Sequence, residues 1–127
     1  MQENIRVRKE VLLNAKEKIT KEFERKTKTL DKYIEVLEKS IIHKEDSVEN
    51  IAFKLYLQLD NVSNVAKTIN ELGFRLNTSS HIGKRKYTSN DITAIITNKD
   101  ATVEEDLKEV VQEIQKMNYG KVAKRWF

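Results

Sequence analysis

The sequence predicts a mainly α-helical protein, in which a long N-terminal helix of coiled-coil type precedes a small helix-turn-helix domain and a C-terminal helix. Three observations predict this fold class. The 127 residues include no proline and only three glycines, so few positions break a helix. Apolar residues recur at spacings of three, four and seven along most of the chain. Cap signals such as Ser47, Gly73 and Thr88 stand at the ends of the periodic segments.

Residues 1–44 are predicted to form the long amphipathic helix. They contain neither glycine nor proline, so nothing in them stops a helix of about 40 residues, on the order of 60 Å long. Lys9, Lys16 and Lys26 make the heptad pattern imperfect, because they occupy positions in the apolar seam. The apolar members of the seam are Ile5, Leu12, Ile19, Phe23, Leu30, Tyr33 and Leu37.

The apolar stripe of this helix needs a partner. One interpretation is that the helix lies along its own globular domain, and the other is that it pairs with a second chain. A domain of about 80 residues cannot cover a helix of this length, so part of the stripe would face water. We therefore expect a homodimer formed through the N-terminal helix.

Residues 45–127 are predicted to form the helix-turn-helix domain, with its C-terminal helix and tail. Ser47 can cap the first helix of this domain, in which Phe53 and Tyr56 are expected in the core. A second helix begins near Ser63, and Gly73 just beyond its end suits a left-handed C-cap. The remaining apolar positions are Val48, Ile51, Ala52, Leu55 and Leu59 in the first helix, and Val65, Ala66, Ile69 and Leu72 in the second.

A basic connector and a short third helix follow. Residues 74–88 include four basic residues and no acidic residue. Thr88 and Asp91 approximate a capping box, which predicts a helix after the connector. The β-branched run at residues 92–97 also suits a strand, which could form a winged-domain hairpin with the segment IGKRKY, so both interpretations remain open. The inward positions of the helical interpretation are Ile92, Ile95 and Ile96.

Thr102 and Glu105 form a second box-like pair, which predicts the start of the last helix. Gly120 is expected to end this helix. Its apolar face is Val103, Leu107, Val110, Val111, Ile114 and Met117. The basic tail ends in Trp126 and Phe127, which either pack back on the domain, contact a protein partner or stack on nucleic acid.

Two successive helices, a glycine and a short third helix behind a basic connector are the parts of a helix-turn-helix DNA reader. Basic side chains would neutralise phosphates, and small polar side chains of the third helix would reach base edges. Asn90 is the most specific candidate because its amide can form two hydrogen bonds with adenine, although it is equally suited to satisfy backbone donors at a helix start. The candidate DNA contacts are Arg75, Lys84, Arg85, Lys86, Tyr87, Thr88, Ser89, Asn90 and Thr93.

The segments VAKTINELGFR and GKRKYTSNDITAIITN resemble the small helical "recombinase" domain of large serine recombinases. The likeness covers residues 65–98, and the resemblance implies a DNA-contacting helical domain. Two departures are the longer stretch between Gly73 and Gly83 and Lys99 at a position where that family often has proline. No counterpart of the family's catalytic domain is present, so the resemblance does not imply strand cleavage. The contacts carried over from the family are Arg75, Lys84, Lys86, Thr88, Ser89, Asn90 and Thr93.

Composition and motifs exclude several other classes of protein. The chain has no cysteine, so disulfide frameworks, thiolate nucleophiles and cysteine-based zinc sites are impossible. It has no glycine-rich phosphate loop, no HExxH motif and no GxSxG motif. His43, at a predicted helix end, and His81, in a serine-rich loop, are interpreted as ordinary surface residues. We therefore expect a protein that is not an enzyme and needs no cofactor or metal.

The charge balance suggests where this protein acts and what it binds. The chain has 24 basic and 20 acidic residues and a sequence pI of about 9.2, which predicts a mildly basic surface. It has neither a signal-peptide pattern nor a membrane-spanning stretch, so we expect a cytoplasmic protein without membrane contact. The sequence thus predicts a dimeric, sequence-specific binder of double-stranded DNA, either a transcriptional regulator or a phage or plasmid accessory factor. The alternative is a coiled-coil protein-interaction module that binds no nucleic acid.

Overall fold

The computed structural model describes residues 2–78, 83–120 and 127, and it confirms the mainly helical class with a long N-terminal helix and a C-terminal helix. The chain divides into two compact units, Met1–Glu35 (unit 1) and Val36–Phe127 (unit 2). The described residues form the elements α1 (Gln2–Glu38), α2 (Val48–Leu59), α3 (Val62–Glu71), β1 (Leu76–Asn77), β2 (Lys84–Arg85), α4 (Ser89–Ile96) and α5 (Glu105–Asn118).

Helix α1 ends six residues before the predicted limit of residue 44. The Ser40 hydroxyl donates a 2.7 Å hydrogen bond to the Leu37 carbonyl, and the Ser40 backbone N–H donates to the same oxygen. Two side chains of α2 hold the connector that follows: Lys54 Nζ donates to the Ile41 carbonyl, and Gln58 Nε2 donates to the Ser40 carbonyl. These tertiary hydrogen bonds satisfy the two carbonyls, which would accept backbone hydrogen bonds within the helix if α1 continued.

Helix α2 begins and ends through local backbone signals. Ser47 caps it as predicted, because the Ser47 side chain accepts a hydrogen bond from the Asn50 N–H. The helix ends at Asp60, which adopts a left-handed conformation with φ +56°. Phe53 and Tyr56 are buried as predicted, whereas Leu59 is 39% exposed, so its assignment to the core was wrong.

Helix α3 begins one residue earlier than predicted, because the side chain of Asn61 rather than a residue near Ser63 provides the cap. Leu72 was predicted on its inner face, but it is 55% exposed at the C-terminal end, where the packing against neighbouring helices stops. Gly73 follows with φ +93°, which confirms the left-handed position. The buried positions of the helix are Val65, Ala66 and Ile69.

A short antiparallel hairpin forms within the basic connector between α3 and α4. In it Leu76 lies opposite Arg85, and Asn77 lies opposite Lys84. The strand interpretation of residues 92–97 was wrong, because this run continues α4 to Ile96 and has Thr97 at its C-cap. The decisive factors are the cap at Thr88 and the burial of apolar side chains four residues apart. His81 lies outside the described residues.

Helix α5 begins at Glu105, and the predicted pairing of Thr102 with Glu105 does not form. The cap residue is Glu104, which makes no side-chain capping hydrogen bond. The Thr102 N–H instead donates to the Glu49 carboxylate on α2, so a tertiary contact replaces the local one. Gly120, with φ +66°, follows the end of α5 as predicted.

The core of unit 2 lies between α2, α3, α4 and α5, and α2 contacts each of the other three. Burial of each large apolar side chain contributes about 1.5–3 kcal/mol of transfer free energy. Among the described helices, none is long and apolar enough to cross a membrane. Trp126 lies outside the described residues, and Phe127 is exposed. The fully buried side chains of the core include Phe53, Tyr56, Val65, Ile69, Ile92, Ile96, Val110 and Val111.

Candidate nucleic-acid interface

The side chain of Asn70 fixes the position of α4 against α3. Asn70 Nδ2 donates a 3.0 Å hydrogen bond to the Tyr87 carbonyl, and the Tyr87 N–H donates a 2.8 Å hydrogen bond to Asn70 Oδ1. One amide therefore satisfies both backbone groups of the residue that lies two positions before α4. Because Tyr87 is buried, these backbone groups would lack partners without Asn70.

A complete capping box starts α4, as the spacing of Thr88 and Asp91 predicts. The Thr88 hydroxyl accepts a hydrogen bond from the Asp91 N–H at 3.3 Å, and Asp91 Oδ2 accepts one from the Thr88 N–H at 2.8 Å. The negative carboxylate also lies in the first turn, where the helix dipole stabilises it. A helix of only eight residues is thus held in place from its first residue.

The same carboxylate connects α4 to the hairpin. Arg85 Nη1 and Nη2 donate hydrogen bonds to the two oxygens of Asp91 at 2.6 and 2.8 Å, which is the bidentate geometry of a strong arginine–carboxylate pair. The hydrogen bonds from Arg85 are the main reason why the pKa of Asp91 lies far below its usual range. The hydrogen bonds from Thr88 lower this pKa further. Asp91 likewise raises the pKa of Arg85.

The outward face of α4 is neutral and built of small side chains. Asn90, Ala94 and Thr97 are exposed and follow one another at helical spacing. Asp91 is the only charged residue of the helix, and Arg85 holds its carboxylate at the hairpin side. Ser89 and Thr93 were predicted to point outward but are half-buried, and the Thr93 hydroxyl donates to the Ser89 carbonyl. This face could approach base edges without a charge that repels phosphates.

Three cations remain available beside α4. Lys84 and Lys86 are exposed, and no acidic side chain of the described residues forms an ion pair with either. Side chains alternate along a strand, so the Lys84 side chain leaves β2 on the side opposite to the Arg85 guanidinium. Arg75 is also exposed, and its Nη1 donates to the carbonyl of Asn70 near the end of α3 and to the carbonyl of Phe74 beyond that end. The connector thus retains most of the positive charge that the sequence indicates.

The structure changes the interpretation of two predicted contact residues. Tyr87 is only 9% exposed, and burial raises the pKa of its hydroxyl, so the ring belongs to the core rather than to the contact surface. Arg85 is paired with Asp91, so its guanidinium positions the hairpin against α4 and is only in part available to a phosphate. The remaining predicted contacts, Arg75, Lys84, Lys86, Thr88, Ser89, Asn90 and Thr93, lie along the end of α3, β2 and the first turns of α4.

Sequence reasoning missed the roles of Asn70 and Asp91 as tertiary connections. Asp91 was identified only as a cap, and no local pattern indicates that an arginine six residues earlier would reach it. Asn70 follows the buried Ile69, and a polar side chain at the edge of an apolar face is the one signal that could have indicated its role.

The predicted dimerisation stripe on α1 divides into two parts. Ile5, Leu12, Ile19 and Phe23 are 57–69% exposed, as a surface awaiting a partner would be. Leu30 is half-buried, and Tyr33 is buried. Leu37, which belongs to unit 2, is 43% exposed. The free part of the stripe therefore covers residues 5–23.

No family model, curated protein or solved structure matches this chain. The likeness of residues 65–98 to the recombinase domain therefore remains a prediction from the residues themselves. Any functional assignment consequently depends on the geometry of α3, the hairpin and α4.

Proposed function

We propose that this protein is a sequence-specific, dimeric DNA-binding protein of helix-turn-helix type, with α4 as the helix that enters the major groove. The observation that carries the proposal is the combination of a short, rigidly held helix with a neutral outward face and three exposed cations beside it. The protein acts in the cytoplasm as a transcriptional regulator or as a phage or plasmid accessory factor. It is not an enzyme and uses no cofactor.

Phosphate contacts supply most of the affinity in this proposal. Lys84, Lys86 and Arg75 bind phosphates, while Arg85 keeps the hairpin and α4 in register through Asp91. The absence of an acidic residue between Gly73 and Thr88 favours an anionic partner over a cationic one. The resemblance to the recombinase domain supports the same contact residues.

Specificity arises from the first turns of α4. The N-terminal residues of a recognition helix are the ones that contact base edges, and the exposed Asn90 is the second residue of α4. Its amide can form two hydrogen bonds with adenine, which is worth about 1–3 kcal/mol of discrimination against another base. The exposed Ala94 and Thr97 continue the same outward face toward the end of the helix.

The test is a fluorescence-anisotropy titration of labelled random duplex with a variant that combines Lys84→Glu and Lys86→Glu. We expect at least about tenfold weaker binding, and a salt dependence whose slope falls by about two. Arg85 is left intact because its reversal would break the pair with Asp91. The matched control combines Lys44→Glu and Lys116→Glu, which changes the net charge by the same amount. Lys44 is exposed in the segment between α1 and α2, and Lys116 is exposed on α5. Equal binding by both folded variants would overturn the proposal.

One observation favours the second candidate function, a coiled-coil protein-interaction module. The exposed apolar side chains of α1 could bind a helix of another protein, with unit 2 as a second docking surface. This candidate predicts that the unaltered protein does not retain random duplex at moderate salt, so the same titration separates the two functions.

A further inference from the structure

Charge along α1 follows a seven-residue repeat. Every seventh residue from the third onward is acidic, namely Glu3, Glu10, Glu17, Glu24, Asp31 and Glu38. A straight α-helix drifts by about 20° per heptad, so a pattern with a strict period of seven stays on one side only if the helix coils around another helix. Such a repeat is typical of a helix that coils around another helix, and a second copy of the chain supplies a helix with the same repeat.

The seam that would face this partner contains lysines as well as apolar residues. In a heptad written abcdefg, positions a and d form the core of a coiled coil. Ile5, Leu12 and Ile19 occupy position d, and Lys9, Lys16 and Phe23 occupy position a. Ile5, Leu12, Lys9 and Lys16 line one continuous surface of α1. The two lysines make the seam selective for one arrangement of the partner helix. The free energy of placing a lysine in the core of the coil depends on which residue of the partner lies opposite it.

A parallel pairing in register is electrostatically poor. It places Lys9 opposite Lys9 and Lys16 opposite Lys16 in the core of the coil, and like charges in such layers are repulsive. The flanking positions offer no compensation, because Arg8 would face Leu13 of the second copy and Glu22 would face Thr27. Two core layers would thus be destabilised without any new ion pair.

An antiparallel pairing centred on Asn14 removes these conflicts. Ile5 then lies opposite Phe23 of the second copy, Lys9 opposite Ile19, and Leu12 opposite Lys16. Each lysine can cover its apolar neighbour with its methylene chain while the ammonium group reaches water. No two lysines of this segment share a layer.

The flanks of the antiparallel arrangement are complementary in charge. Arg8 lies beside Glu22 of the second copy, and the symmetry of the dimer creates this ion pair twice. At the centre of the dimer Leu13 meets Leu13 of the second copy, and Ala15 meets Ala15. Within one chain Glu22 pairs with Lys26 at 3.2 Å on an exposed surface, which is an interaction weak enough to exchange.

We propose that two copies of this protein associate through residues 5–23 of α1 as an antiparallel coiled coil centred on Asn14. This proposal deepens the dimeric part of the proposed function and is independent of DNA binding. It also determines how the dimer is arranged: the two copies of Glu35 lie at opposite ends of the coil, about 60 Å apart along its axis. In a parallel coil they would lie side by side.

The absence of cysteine from the natural chain allows a direct test by disulfide formation. The full-length variants Ile5→Cys and Phe23→Cys are mixed and oxidised, and the mixture is analysed by non-reducing electrophoresis and mass spectrometry. We expect a heterodimer in which a disulfide joins the thiol introduced at position 5 of one variant to the thiol introduced at position 23 of the other. Ile5→Cys alone should not cross-link, because its two copies would lie ~27 Å apart along the coil, beyond the reach of a disulfide. Rapid cross-linking of either variant with itself would overturn the proposal.

A control variant measures random collision. Val7 is exposed on α1 but lies outside the seam, so Val7→Cys mixed with Phe23→Cys should cross-link far more slowly than the Ile5→Cys mixture. Equal rates for both mixtures would contradict a defined coil. Failure of the DNA titration would leave these cross-links unchanged, so the two proposals fail in distinguishable ways.

A charge-reversal series tests the register independently. By sedimentation equilibrium we expect Arg8→Glu and Glu22→Arg each to weaken dimerisation about fivefold, and the double variant to restore it. A double variant no tighter than the singles, or a chain that is monomeric without any substitution, would overturn the proposal.

Discussion

The longest and the shortest of the described helices, α1 and α4, are stabilised in opposite ways. Helix α4 has only eight residues, but a capping box, a bidentate ion pair and a side-chain amide fix it, and Ile92 and Ile96 anchor it in the core. Helix α1 has 37 residues, and through residue 28 its side chains have ion pairs within the helix and little burial. The length of a helix therefore says little about how firmly its own chain holds it.

The physical reason for this difference is the source of helix stability. A helix gains little from local hydrogen bonds and exposed ion pairs, and most of its stability comes from burying an apolar face. Helix α4 buries that face within unit 2, whereas the stripe at residues 5–23 remains exposed in the single chain. A short helix can thus be held firmly by its own chain, while a long one leaves much of its apolar stripe exposed.

The largest effect should come from truncating the anchor of α4. Ile92→Ala removes a fully buried side chain and should lower the free energy of unfolding by about 2–5 kcal/mol, measured by urea denaturation with circular dichroism. Ile19→Ala makes the same change on the exposed stripe of α1 and should alter the stability of the monomer by less than about 0.5 kcal/mol. A similar loss in the free energy of unfolding for both variants would contradict the difference in burial between α4 and the stripe of α1.

A smaller effect should come from the amide that connects α3 to α4. Asn70→Ala leaves the N–H and the carbonyl of Tyr87 without their partner, which should destabilise unit 2 by about 2 kcal/mol. Asn90→Ala is the matched control, because this side chain is exposed and the proposed function assigns it to base contact. Asn90→Ala should leave thermal unfolding almost unchanged and reduce discrimination among DNA sequences. Equal loss of stability in both variants would contradict the assigned roles.

The smallest effect concerns the pH dependence of the pair between Arg85 and Asp91. The pKa of Asp91 is lowered on folding, so its stabilising contribution is fully present above the unfolded value of about 3.9 and is lost as the pH falls below it. Asp91→Asn should therefore cost about 1 kcal/mol at neutral pH and should flatten the loss of stability below about pH 4. The check is urea denaturation across this pH range.

Asp46 provides an internal comparison for that experiment. Its pKa is lowered chiefly by the His43 N–H and then by Lys54, so it contributes acid sensitivity of the same sign. Part of the pH dependence should consequently survive in the Asp91→Asn variant. An acid profile identical to that of the unaltered protein would show that folding does not lower the pKa of Asp91 and would contradict this prediction.

Local signals were reliable where one residue and its near neighbours decide the structure. Ser47, Thr88 and Gly73 all act as predicted, because caps depend on backbone groups within four residues. Leu59 and Leu72 continue the apolar periodicity of their helices but are exposed. Periodicity states which side of a helix is apolar, but it does not state where the neighbouring helix ends.

For the candidate site, the sequence indicated which cations are exposed better than it indicated how the hairpin and α4 are held together. The cations at positions 75, 84 and 86 and the neutral face of α4 were predicted from composition and spacing. The burial of Tyr87 and the pairing of Arg85 were not, because each depends on a residue that only folding brings near. Thr102 shows the same limit, since its backbone contacts Glu49 on a distant helix instead of capping α5.

The sequence by itself determined the helical class, the caps, the basic connector and the seven-residue repeat of α1, because each of these is a property of neighbouring residues or of spacing along the chain. Only the tertiary structure decided that residues 92–97 are helix, that Asp91 connects α4 to the hairpin and that Asn70 holds Tyr87. The reason is that helix and strand propensities at a short β-branched run differ by less than the free energy of burying it against one particular surface.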